Sequence, residues 1–276
     1  MALNSVNTNV GAMIALQNLQ VTNNELSQVQ SRINTGKKVA SAKDNGAIWA
    51  IAQGQRAEIG ALNAVKDSLN RGQSAVDVSL AAGESVSDLL TQLKEKALAA
   101  TDTSLTTAAR SALNEDFTSI RDQIATVVSN ASFNGVNLLD GSATAGFKAL
   151  ANVSGSTITI NDEDMSLSGS IVTLATTEQI NTTTNATAAL AKVDASIANV
   201  SASLARLGTG SKSLGTHLSF VGKLQDTLEA GVGNLVDADL AKESARLQAL
   251  QTKQQLGVQA LSIANSSTSI LLGLFR

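Results

Sequence analysis

Between residues 190 and 235, alternate steps of three and four land on Leu190, Val193, Ile197, Val200, Leu204, Leu207, Ser211, Leu214, Leu218, Val221, Gln225, Leu228, Val232 and Leu235. Twelve of these fourteen positions are Leu, Ile or Val. A mean spacing of 3.5 gathers them on one helical stripe and favours coiled-coil packing. At 1.5 Å per residue the helix would run about 69 Å, which calls for a rod rather than a small globule. Burying twelve such side chains is worth roughly 18–36 kcal/mol gross, before the entropy of ordering them is subtracted. The chain has no proline at any of its 276 positions, so nothing of that kind interrupts a long helix.

Two further stripes give this helix partners. One visits Leu62, Val65, Leu69, Gly72, Val76, Ser79, Gly83, Val86, Leu90, Leu93 and Ala97. Its glycines and serine leave room for a neighbouring helix to approach closely. The other is Leu113, Phe117, Ile120, Ile124 and Val127. Three stripes of similar character predict a helical bundle. With aromatics at only 2% of the chain, its core rests on aliphatic side chains.

The two ends are weaker. Leu16, Leu19, Leu26, Val29 and Ile33 share one face near the start, and Leu247, Leu250, Leu261, Ala264, Leu271 and Phe275 do so near the end. Asn, Gln, Ser and Thr interrupt both faces, so such helices are marginal in isolation. They are expected to pair with each other and to order fully inside a larger assembly of copies. The terminal apolar run Leu271–Phe275, with Leu274 inside it, is then an assembly contact.

Between the helices, Asn134-Gly135 inside SFNGVNLLDG signals a tight hairpin. Residues 140–185 turn rich in Thr, Ser, Asn and Gly, with Thr157–Ile160 and Ile171–Leu174 alternating as strands do. The expected fold is mainly α: an elongated helical rod with coiled-coil terminal helices and a small β-hairpin and β insert. The expected domains are 1–44 with 236–276 as a terminal coiled coil, 45–140 with 186–235 as a helical rod, and 141–185 as a short outer insert.

Catalytic chemistry finds little to use. There is no cysteine, which removes thiol catalysis and thiolate metal sites. The one histidine, His217, rules out paired-histidine zinc motifs and reads as structural or solvated. Leu207–Ser213 (LGTGSKS) misses the spacing of a phosphate-binding loop. Asp162, Glu163 and Asp164 lack calcium-loop spacing and read as a solvated turn. Arg32, Lys37, Lys38 and Lys43 cluster without interleaved aromatics, so they suit a solvated connector or charge pairing with a neighbouring subunit better than nucleic acid. A net charge of −3 offers no footprint for nucleic acid either. Neither a cleavable secretory signal nor a membrane span is expected. The reading from residues alone is a long-helix assembly protein, not an enzyme, with no metal and no cofactor.

Particular residues then narrow this. Residues 32–52, RINTGKKVASAKDNGAIWAIA, resemble the signature near the N-terminus of bacterial flagellins. So do Phe133-Asn134-Gly135 with Leu138–Gly141, and Asp237-Ala-Asp-Leu-Ala241 leading to Leu274-Phe275-Arg276. The run Gln259–Asn265 and the Leu-Phe-Arg ending are most similar to flagellins of alphaproteobacteria. The resemblance covers nearly all of 1–141 and 186–276.

It implies a structural subunit that polymerises into the extracellular filament of the bacterial flagellum for swimming motility. Its termini would pair as a coiled coil in the filament core, which makes Leu16, Leu19, Leu26, Val29, Ile33, Leu247, Leu250, Leu261, Leu271, Leu274 and Phe275 the expected subunit interface. It also implies other flagellin copies, an export chaperone, the type III export apparatus, and hook-associated junction and cap proteins as partners. Two alternatives stay open: a hook–filament junction protein with similar ends, and a secreted helical translocator. The SAKDN stretch and the Phe-Asn-Gly hairpin favour the filament subunit. The 190–235 helix lacks the basic face that a membrane-surface binder needs.

Overall fold

The computed structural model of the chain describes residues 8–273, with side chains through residue 266. The elements in order are α1 (Val10–Thr35), α2 (Gly46–Ala100), α3 (Thr107–Asn130), β1 (Ser132–Phe133), β2 (Val136–Asn137), β3 (Phe147–Leu150), β4 (Thr157–Ile160), α4 (Thr183–Val236) and α5 (Leu240–Gly273). Each helix starts on a polar side chain that satisfies an orphan backbone donor. Asn9 accepts from the Ala12 N–H, Asn45 from Ile48, Thr106 from Ala109, Thr182 from Asn185, and Asp239 from Ala241 and Lys242. Gly36 closes α1 at φ 68°, a left-handed position that favours glycine.

Two compact units emerge, Met1–Ala57 with Thr227–Arg276, and Glu58–Asp226. Residues 141–185, the expected outer insert, fall within the second unit. In that unit every position of the α2 stripe, from Leu62 to Ala97, is buried, as its periodicity predicts. Phe117, Ile124 and Val128 of α3 join it.

α4 departs from the expected seam in an informative way. Val193, Val200, Leu207, Leu214 and Val221, spaced by seven, are buried. The alternate positions Leu190, Ile197, Leu204 and Leu218 are only half-buried. The second buried line is Ala189, Ser196 and Ser203, one residue earlier in each heptad. Two of these small residues, Ser196 and Ser203, are sockets for the insert. Ser196 Oγ accepts the Thr173 N–H at 3.1 Å, and Ser203 donates to Glu163 at 2.7 Å. One heptad on, a Cβ added at Gly210 would sit 2.9 Å from Ile160. α2 does the same: Ser68 Oγ accepts the Leu150 N–H at 3.0 Å, and a Cβ at Gly72 would lie 2.9 Å from Phe147. The helices also meet closely, since a Cβ at Gly83 would be 2.6 Å from Leu204.

The hairpin forms at Asn134 and Gly135, with φ of 50° and 80°. Two successive positive values are the turn that matches strand twist. β4 is the expected strand, and it pairs antiparallel with β3, Phe147 opposite Ile160, a partner the sequence pattern left unread. The strand expected at Ile171–Leu174 does not form. Its Ile171, Val172 and Leu174 are buried, but its polar groups find no strand: Thr173 N–H goes to Ser196 of α4 and Ile171 C=O to the Asn199 amide at 3.2 Å, while Ile171 N–H donates to the Asp164 carbonyl and Leu174 C=O accepts the Ser168 N–H.

Candidate assembly surface

In the first unit, α1 and α5 run antiparallel. Asn9 donates to the Ala264 carbonyl at 2.8 Å, Gln254 to Asn23 at 2.7 Å, and Arg32 to Glu243 at 3.1 Å. The connectors zip beside them, with Lys38 and Val39 N–H both donating to the Val236 carbonyl and Ala238 N–H to that of Gly36. Arg32, expected in a solvated or intersubunit cluster, therefore pairs inside its own chain. The pair is mostly sequestered, its side chains 20% and 11% exposed.

The expected interface residues divide by location. Val29 and Leu250 are buried at 1% and 5% exposure. Leu19, Leu26, Ile33, Leu247 and Leu261 are half-buried. Leu19 meets α5 at Gly257, where an added Cβ would be 3.3 Å from its Cδ1. Leu16 is exposed. Leu274 and Phe275 lie outside the described residues, as does the side chain of Leu271. Thr22, which the apolar pattern passed over, is buried and donates back to the Asn18 carbonyl at 2.9 Å.

Of the stripe read from the sequence, Val29 and Leu250 are thus buried and Leu19 packs on α5. What remains in solvent is a second apolar set: Val10, Met13, Ile14, Leu16 and Val21 on α1, and Leu256, Val258 and Ile263 on α5. The periodic search missed these, save Leu16, because they lie off the dominant face. Their signal is distribution: α5 carries apolar side chains around its circumference rather than along one line, and a helix apolar on several sides calls for several neighbours.

The remaining motifs take structural places. The His217 ring nitrogen is 2.6 Å from the Ala151 carbonyl, tying α4 to the end of β3. Leu207–Ser213 is continuous helix within α4. The acidic run is not the solvated turn expected. Glu163 is buried, clasped by Arg206 through Nε at 2.7 Å and Nη2 at 2.5 Å, and by Ser203. Burial alone would raise the Glu163 carboxyl, but hydrogen bonds from Arg206 and Ser203, with the Arg206 charge, outweigh it and hold the group below its ordinary value. Asp162 has no such partner. Its Oδ1 is buried without a hydrogen bond, and burial, then the charges on Asp140, Asp164 and Glu163, push it up to about 6. Among the described residues no cluster could hold a metal ion, and no helix is long and apolar enough to cross a membrane.

This raised Asp162 has a signed consequence. Its folded value lies above the unfolded one near 3.9, so its contribution favours folding below that value and is lost as pH rises through about 6. Asp162→Asn is expected to raise the thermal midpoint of the second unit at pH 8 and to leave it unchanged near pH 3.5. Calorimetry at the two pH values checks this, and an equal shift at both would refute the assignment.

The family model for the bacterial flagellin N-terminal helical region matches residues 6–144, and that for the C-terminal helical region matches 190–275. Flagellin FljK of Caulobacter vibrioides is 62% identical over 276 residues, covering 100% of both chains. The flagellin of Brucella melitensis is 38% identical over 281 residues, covering 99% of each. Among solved structures, a putative flagellar hook-associated protein from Vibrio parahaemolyticus superposes with a TM-score of 0.56 at 17% identity, covering 70% of this chain and 100% of that one. At that identity the likeness is one of fold.

Proposed function

The chain belongs to the bacterial flagellin family, and from that premise we propose that the α1–α5 pair polymerises through the apolar set it leaves exposed. The chain is a structural subunit of the extracellular flagellar filament. The observation that carries the assembly reading is the number of apolar side chains α1 leaves exposed, Val10, Met13, Ile14, Leu16 and Val21, against a single buried one, Val29. A two-helix unit with so thin an interior gains most of its stability from neighbours. Identical copies meeting through unlike faces propagate an open helix.

In this reading Leu19, Leu26, Val29, Ile33, Leu247, Leu250 and Leu261 hold the pair, and Leu16, Met13, Leu256 and Ile263 meet other copies. Leu271, Leu274 and Phe275 extend the same contact. Before assembly the apolar tail is the segment for an export chaperone to cover, with type III export delivering the chain. Hook-associated junction and cap proteins would meet it at the two filament ends.

Electron microscopy of purified chain seeded with short filament fragments tests the proposal. Long helical filaments are the expected result. Monomers that only decorate fragment ends would favour a junction protein, and chains that ignore the fragments would end the assembly reading.

A further inference from the structure

Two helices of the second unit each carry a run in which the exposed charges share one sign. From residue 72 to 93, α2 has no Lys or Arg, and its charges are Asp77, Glu84 and Asp88. Steps of seven and four place the three within about 40° of one another around the helix, and Glu95 continues the line. All four are exposed. No Lys or Arg of the described chain forms an ion pair with them, although Gln73 donates to Asp77 at 3.2 Å. From 195 to 225, α4 has no Asp or Glu, and its cations are Arg206, Lys212 and Lys223. Arg206 is committed to Glu163. Lys212 and Lys223 are exposed and about 20° apart around α4.

Beside them is Phe220, 56% exposed. Among the described residues it is the one Phe or Trp left exposed, in a chain with only five Phe and one Trp. It borders a shallow groove of about 700 Å³ with Lys212, Ser219 and Lys223. An exposed aromatic is the make-up of an interface anchor, and charge belongs to the rim around it.

The two stripes match in pitch as well as in sign. Lys212 and Lys223 are eleven residues apart, and so are Asp77 and Asp88, and Glu84 and Glu95. On a helix that is about 16 Å in each case. We propose that the α4 stripe of one copy, Lys212 and Lys223 around Phe220, docks on the α2 carboxylate stripe of a second copy. The second copy is indicated because it presents the complementary charge at the complementary spacing. The inference rests on the filament reading and adds a contact distinct from the terminal helices. Because the two faces differ, each copy can give one and receive the other, which extends the array. Opposed charge fixes register and speeds encounter more than it adds affinity.

The test is seeded growth of three full-length variants beside the unaltered chain, with helicity followed by circular dichroism. Growth of the unaltered chain checks the filament reading independently. Lys212→Glu/Lys223→Glu alone, and Asp77→Lys/Asp88→Lys alone, are each expected to slow elongation about tenfold or more while staying helical. The chain carrying all four changes restores opposed charge and is expected to recover, as is an equal mixture of the two double variants. Double variants that elongate at the unaltered rate would overturn the docking. So would a fourfold variant that stays helical yet grows no faster than either double.

Discussion

Leu250→Asp is expected to stop filament elongation while leaving the 58–226 unit to melt as before. Leu250 is buried in a unit whose described apolar interior is small, with Val29, Val39, Ala52, Val232 and Val236 as the other buried hydrophobics. Truncating a buried leucine alone costs about 2–5 kcal/mol, and an aspartate adds the cost of a carboxylate with no partner. About 3 kcal/mol is more than a hundredfold in an equilibrium, so elongation should fall by about that factor. Leu256→Asp is the informative comparison. Leu256 is exposed, so the change makes no demand on the pair itself. Loss of growth with Leu256→Asp as well would mean that a neighbour covers this outward face, whereas normal growth would leave it in solvent and remove it from the interface. Growth of Leu250→Asp at the unaltered rate would show that the α1–α5 packing is not what assembly requires.

Arg206→Ala is expected to lower the stability of the second unit by about 2–3 kcal/mol. It leaves a buried Glu163 with Ser203 as its remaining side-chain donor. Breaking one side of a buried pair costs about 3–5 kcal/mol. The figure falls at or below the low end because the Arg206 side chain is itself 58% exposed and partly screened. For a unit of this size that is roughly 4–12 °C in thermal midpoint. Glu163→Gln should cost less, because the charge it strands, on Arg206, is already in water. The pH dependence follows from the lowered Glu163 value. The clasp stabilises above the unfolded value near 4.3 and is lost as pH falls through the lower folded one, so the Arg206→Ala deficit should shrink in acid. Calorimetry of the two variants decides it: equal losses, or a deficit that persists in acid, would mean the clasp is not electrostatic.

Much of the helical fold was legible because helical periodicity reports burial directly. The α2 stripe is buried at every position read, and the Asn134-Gly135 turn forms where its residues demand positive φ. The α4 line at Ala189, Ser196, Ser203 and Gly210 was not legible. Small and polar residues carry no apolar signal, and at Ser196, Ser203 and Gly210 it is the insert that lies against them. Ile171–Leu174 failed as a strand for a related reason: its alternation is genuine, but a serine and an asparagine of α4 and the insert's own loop backbone take its hydrogen-bonding groups. At the terminal pair, the pattern picked out the buried Val29 and Leu250 but also the exposed Leu16, and passed over Val10, Met13, Ile14 and Val21, which lie in solvent.

Alone, the sequence determined that this chain makes long helices and which stripe of each carries its greasiest residues. Spacing, caps and the absence of proline act locally and need no partner. Tertiary structure decided which of two adjacent lines on α4 is interior, that Glu163 is clasped rather than solvated, and which apolar side chains of the terminal pair are left exposed. Those outcomes depend on what lies opposite each residue, and a periodic pattern records a face without recording what covers it.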